Sequence, residues 1–160
     1  MIDTLRRREL GIIAMAVFGS FVHPAAADAR SIHASAGEAM DRNFDDYGEF
    51  IVDGDEGFSV TRTATSRARW TVPLQFDTAG AKTIVVTGKS GVDEPLVCQA
   101  LAMDRLGNIA ASSNAGFFTP SPSFGTVTLN MTVPPDTIVF MLCSLGGDSA
   151  SHLLGADFNP

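Results

Sequence analysis

The sequence predicts an all-β protein, a single antiparallel β-sandwich of about eight strands that follows a signal peptide. Two observations lead to this prediction. Apolar and polar residues alternate with a period of two in several short segments after residue 57. Glycine, proline, asparagine and aspartate separate those segments, and no segment after the first 27 residues has a helical period. An immunoglobulin-like and a jelly-roll strand order both fit this pattern.

The first 27 residues have the features of a secretory signal peptide. Arginines at 6–8 precede an apolar stretch over residues 10–22, and small residues follow it. Cleavage after Ala27 or after Ala29 satisfies the rule for small residues at the cleavage site, and we expect cleavage after Ala27. Because a transmembrane helix needs about 18 or more apolar residues, we expect a mature protein without a membrane span. It should be secreted or periplasmic.

The mature chain has the length of one domain. We divide it into an irregular acidic segment, residues 28–57, and a sandwich domain, residues 58–160. From Asp28 onward there are 16 acidic and eight basic residues, which gives a net charge of −8. Such a charge disfavours nucleic acid and anionic membrane surfaces as partners.

The alternation along the chain places the strands. We expect them at residues 47–52, 58–63, 69–77, 82–87, 96–103, 109–112, 126–133, 137–145 and 151–158. Pro73 lacks a backbone donor, so its strand should lie at a sheet edge or carry a bulge. Trp70 is in phase with the apolar residues of the same strand and should lie in the core. Residues 113–125 should form a long loop or a broken edge strand.

The only two cysteines, Cys98 and Cys143, lie in the segments 96–103 and 137–145. Both segments are apolar at odd and even positions alike, so we expect both faces of each strand to be covered. An exported chain folds in an oxidising compartment, which favours a disulfide between the two cysteines over two separate buried thiols. Closing the loop between them would stabilise the fold by about 4 kcal/mol.

Short motifs in the later half of the chain accompany these cysteines: Cys98, Cys143-Ser144-Leu145, Gly146-Gly147 and Ser151-His152-Leu153. In these motifs the chain resembles a group of small exported bacterial β-sandwich proteins of unassigned function. The group has two further cysteines in its first half, where this chain has Ala36-Gly37 and Val72-Pro73. The absence of both further cysteines is the pattern expected if one disulfide of the group has been lost from this chain. The resemblance implies a β-sandwich and export, and it brings no active residues with it.

Two groups of side chains are candidates for binding. Asp53, Asp55 and Glu56 place three carboxylates around one turn, as calcium sites do, but the spacing falls short of an EF-hand loop. We prefer a solvated acidic turn, and we expect no cofactor. The second group, Phe117, Phe118 and Phe124, lies among Ser, Pro and Gly. Exposed aromatic rings on loops stack on sugars or contact partners, whereas buried ones would fill the open end of the sandwich.

The chain has few histidines, and it shows no nucleophile motif, zinc motif or cofactor motif. We therefore expect a non-catalytic exported module that binds a surface, a glycan or a protein ligand, or that serves in the cell envelope. The alternative is a small secreted hydrolase, or a calcium-dependent glycan-binding domain, that uses the acidic segment.

Overall fold

The structure is a computed structural model that describes residues 29–39, 50–53, 59–62, 68–92, 95–146 and 151–159. These residues include a short 3-10 turn, Ala34–Ala36. They form the strands β1 (Arg30–His33), β2 (Glu38–Ala39), β3 (Phe50–Asp53), β4 (Ser59–Arg62), β5 (Ala68–Leu74), β6 (Gly80–Lys89), β7 (Val97–Met103), β8 (Ile109–Ser112), β9 (Gly116–Phe117), β10 (Gly125–Val133), β11 (Ile138–Leu145) and β12 (His152–Phe158). In these ranges no helix is long and apolar enough to cross a membrane.

The strands form two antiparallel sheets, as the sequence predicted. The first sheet has the order β10-β6-β12-β4-β3, and β1 also pairs with β12. The second has the order β2-β5-β11-β7-β8, and β9 also pairs with β7. Pro73 of β5 pairs with Phe140 of β11 on one side. On its other side lies β2, which pairs only with Thr71 and Trp70, so Pro73 is at an edge of the described sheet there, as predicted.

The core lies between the two sheets and takes alternate residues from long strands such as β6, β7, β10 and β11. In β10, for example, Leu129, Met131 and Val133 are buried, while the residues between them are exposed. Trp70 is buried as predicted, with 8% of its surface exposed. The fully buried side chains of largest volume are Ile84, Leu96, Leu129, Met141, Leu145, Leu153, Val72, Val86, Cys98 and Cys143.

Cys98 and Cys143 face each other in the register of β7 and β11 and form the predicted disulfide. Their strands differ from the prediction in one respect. Only one face of each strand is fully buried, and the other is half-buried or, at Ile138, 60% exposed. The expectation that both faces are covered was therefore wrong. An antiparallel sheet packs one face on the core and leaves the other toward solvent, even where that outer face is apolar.

Residues 30–39, which the sequence analysis placed in an irregular segment, belong to the sandwich. β1 pairs with β12 from Arg30–Phe158 to His33–Gly155, and β2 pairs with β5. The indole Nε1 of Trp70 donates a buried hydrogen bond to the carbonyl oxygen of Ala34 at 2.8 Å. The expectation of irregular structure was wrong here because strands this short are specified by distant pairing partners rather than by local alternation.

Candidate functional site

A cleft opens where β6 ends and β10 begins, beside β9 and the loop of residues 118–124. The cleft has a volume of about 260 Å³, close to the lower end of the range for small-molecule sites. Its walls are formed by Phe117, Phe118 and Phe124, by Gly88 and Lys89 at the end of β6, and by a row of hydroxyl-bearing residues. The cleft therefore lies within the segment that the sequence predicted to be a loop or a broken edge strand.

Backbone hydrogen bonds hold this segment against the sandwich. The amide of Phe118 donates to the carbonyl of Leu96 at 3.0 Å, and the amide of Ser121 donates to the carbonyl of Ser90 at 3.2 Å. Gly116 allows β9 to approach β10 closely, since a Cβ there would lie 2.8 Å from side-chain atoms of Val127 and Leu129. The cleft wall is thus fixed by pairing and by close packing before any ligand arrives.

The three phenylalanines that the sequence singled out divide into two groups. Phe117 is 66% exposed and Phe124 is 38% exposed, and both line the cleft. Phe118 is only 5% exposed and belongs to the core. Consecutive residues of an extended chain point to opposite sides, so Phe118 lines the cleft with little exposed surface, and its role as a contact residue stays a prediction. Phe117 points outward, so Phe118 points inward and lies close to the backbone of Gly88.

The ring of Phe124 is held by two neighbours from other strands. His152 packs edge-on against it, with ring centroids 6.3 Å apart and an interplanar angle of 79°. The Nζ of Lys89 lies 5.5 Å from the Phe124 centroid, within the range of a cation–π contact. Lys89 lies beyond the predicted strand, which ended at residue 87, whereas β6 continues to Lys89.

Hydroxyl groups line the cleft between the exposed rings: Thr119, Ser121, Ser123 and Thr126. All four residues are exposed. The Oγ of Ser121 accepts a hydrogen bond from the amide of Ser123 at 3.1 Å, which orders the loop tip. The described residues provide no hydrogen-bond partner for the side-chain hydroxyls of Thr119 and Thr126.

The cleft therefore combines two exposed aromatic faces with several polar hydrogen-bonding groups. This combination suits a ligand that has both an apolar face and a rim of hydroxyl groups. Within the described ranges, no three potential metal ligands among His, Cys, Asp and Glu come together. Asp53 ends β3, and Asp55 and Glu56 lie outside the described residues, so the preferred solvated turn and the alternative calcium site both stay predictions.

No protein-family model and no curated protein matches the chain. Solved structures resemble its fold. The C-terminal CBM6 of LamC, a marine laminarinase from Zobellia galactanivorans, has a TM-score of 0.57 and 13% identity, and the match covers 83% of this chain and 100% of that one. The CBM36-1 domain of a multidomain xylanase from the hindgut metagenome of Trinervitermes trinervoides has a TM-score of 0.54 and 9% identity, with coverages of 83% and 98%.

The enzymatically active domain of tailspike protein 4 from bacteriophage CBA120 also matches, with a TM-score of 0.52 and 13% identity. That match covers 64% of this chain and 15% of the tailspike chain. At these identities the similarity shows a shared β-sandwich fold.

Proposed function

We propose that this protein is a non-catalytic, exported carbohydrate-binding module, and that it binds a glycan in the cleft between Phe117 and Phe124. The observation that carries the proposal is the pair of exposed rings beside a row of exposed hydroxyls. The CH-rich face of a sugar ring can pack on a phenylalanine, and its hydroxyl groups can bond to Thr119, Ser121, Ser123 and Thr126. The structural neighbours that are carbohydrate-binding modules support the same class of function.

Preorganisation favours Phe124 as the main stacking surface. Contacts from Lys89 and His152 restrict the ring before binding, so less side-chain entropy is lost when a sugar stacks on it. Phe117, at 66% exposure, offers a larger accessible face and provides a second contact. Export is supported by the signal-peptide pattern and by the disulfide between Cys98 and Cys143.

Isothermal titration calorimetry or affinity gel electrophoresis with a panel of soluble polysaccharides tests the proposal. We expect saturable binding to at least one glycan. Phe117→Ala and Phe124→Ala should each weaken it about tenfold, which corresponds to about 1.4 kcal/mol. Leu106→Ala is the matched control, because Leu106 is 86% exposed on the 104–108 turn, which does not line the cleft.

An equal loss of glycan affinity in Phe124→Ala and in the control Leu106→Ala would show that the cleft is not the binding site. Failure of the intact protein to bind any glycan in the panel would argue against the whole class of function. Binding that remains unchanged in both phenylalanine variants would place the glycan elsewhere on the surface.

A further inference from the structure

Lys89 is the one charged residue among the described residues that line the cleft beside Phe117 and Phe124. Three other cavities in the described part of the chain each have at least one aspartate in their lining. The chain as a whole has 18 acidic and 11 basic residues. A cleft whose described lining has a cation and no carboxylate therefore departs from the acidic character of the chain, and it favours an anionic group over a cationic one.

Strand pairing fixes the place of Lys89 in the cleft wall. Lys89 is the last residue of β6 and lies opposite His152 of β12. Its Nζ lies 5.5 Å from the ring centroid of Phe124, which belongs to the same wall. Because the backbone is held in the sheet and the ammonium lies against a ring of the wall, the positive charge is within reach of a group bound beside Phe124.

The ammonium of Lys89 suits an oxyanion better than a neutral hydroxyl. An aromatic ring attracts an ammonium electrostatically, and the three N–H donors of the ammonium allow it to contact the ring and to donate to more than one oxygen as well. Charge-assisted hydrogen bonds to an anion are shorter and stronger than bonds to a neutral acceptor. The hydroxyls of Thr119 and Thr126, in the same wall, can donate to further oxygens of the anion.

We propose that the glycan bound in this cleft is acidic, and that Lys89 selects it by binding an oxyanion substituent of the sugar, a uronate carboxylate or a sulfate ester. This assignment rests on the proposed function, since it gives a chemical class to the ligand of that same cleft. Stacking on Phe117 or Phe124 would hold the sugar ring, and the ammonium would bind the substituent beside it. A neutral sugar would keep the stacking contact but would offer Lys89 no counter-charge.

The net charge of the chain opposes this preference only at long range. The formal net charge is −7 at pH 7, which repels a polyanion at a distance. At physiological ionic strength the repulsion between exposed charges is screened over about 8 Å, whereas the contact with Lys89 acts at hydrogen-bond distance. We therefore expect the acidic glycan to bind about tenfold more tightly than its neutral match, as one charge-assisted hydrogen bond would give.

Isothermal titration calorimetry with matched pairs of glycans tests the proposal. The uronate pair is an oligogalacturonate and the same oligomer with its carboxylates converted to neutral methyl esters. The sulfate pair is dextran sulfate and dextran. We expect the acidic member of at least one pair to bind about tenfold more tightly than the neutral member. A difference in one pair alone identifies the substituent, and a difference in both indicates that either substituent is accepted.

Three variants locate the preference. Lys89→Met should bring the two members of a pair to within about twofold of each other, whereas Lys89→Arg should keep the preference. Arg105→Met is the matched control, because it removes one positive charge from an exposed side chain on the 104–108 turn, which does not line the cleft. Phe117→Ala should weaken binding of the acidic member as well, because the same cleft holds it.

Equal binding of the two members in both pairs would overturn the proposal. So would an equal loss of preference in Lys89→Met and Arg105→Met, which would indicate non-specific attraction of polyanions. If neutral glycans bind without an acidic preference and Phe117→Ala weakens them, the proposed function stands and the role of Lys89 is wrong. If no glycan binds, acidic or neutral, both are wrong.

Discussion

Two adjacent phenylalanines should differ greatly in their contribution to stability. Phe118 is 5% exposed within the core, so Phe118→Ala should lower the free energy of unfolding by about 3–5 kcal/mol, as other large-to-small core changes do. Phe117 is 66% exposed, which leaves about a third of its surface buried. Since full burial of a phenylalanine stabilises by about 1.5–3 kcal/mol, Phe117→Ala should cost about 0.5–1 kcal/mol.

Urea unfolding measures this difference directly, because the chain has a single tryptophan and Trp70 is buried. Exposure of the indole on unfolding should change its fluorescence, and the midpoint and slope give the free energy of unfolding. A loss of 3–5 kcal/mol is a large part of the about 5–15 kcal/mol typical of a domain. A greater loss in Phe117→Ala than in Phe118→Ala would refute the assignment of which ring faces the core.

Three further predictions concern stability and titration. Replacing Cys98 and Cys143 together by Ala should lower the free energy of unfolding by about 4 kcal/mol, with non-reducing peptide mapping as the check that the native pair is bonded. Ser113→Ala should cost about 1–3 kcal/mol in urea unfolding, because the buried Ser113 hydroxyl accepts the amide of Ala100 at 2.9 Å, whereas the exposed Ser112→Ala should change little. Hydrogen bonds from Asn108 and the nearby backbone lower the pKa of Asp104 below its ordinary 3.8. The contribution of Asp104 to stability should therefore be present above its unfolded pKa and be lost as the pH falls through its folded pKa. Carbon-13 titration of the carboxyl group should show the lowered pKa, and Asn108→Ala should raise it again.

Alternation along the chain was sufficient to predict the fold class and the core position of Trp70, and the expectation of export with only two cysteines predicted the disulfide. The first two depend on local pattern, and the disulfide was expected from a signal-peptide pattern that is itself a prediction. The two short strands β1 and β2 could not be predicted, since β1 pairs with β12 at the other end of the chain and β2 pairs with β5 across the segment between them. The order of the strands within each sheet could not be predicted either, because period-two alternation indicates a strand but not which strand pairs with it.

Which side chains of the candidate cleft face solvent also depends on strand pairing that the sequence pattern does not show. Phe117 and Phe118 are chemically identical neighbours in the sequence, and only the pairing of β9 with β7 decides which one faces solvent. The sequence therefore pointed to the loop that lines the cleft, but it did not show that Phe117 is exposed there while Phe118 is buried.

The burial of Lys82 was harder to predict than the orientation of the two phenylalanines. This lysine precedes a β-branched run, Thr83 to Thr87, in which polar and apolar residues do not alternate cleanly, so the sequence does not say which face is buried. The register of β6 with β10, which places Lys82 opposite Met131, sets its side chain on the core face. An inward lysine would usually be replaced by an apolar residue, because a buried ammonium without a counter-charge destabilises the folded state. The long aliphatic part of Lys82 lies along the apolar face of β6, while its ammonium reaches Oγ1 of Thr78 and the ring of Phe76 at the end of the strand.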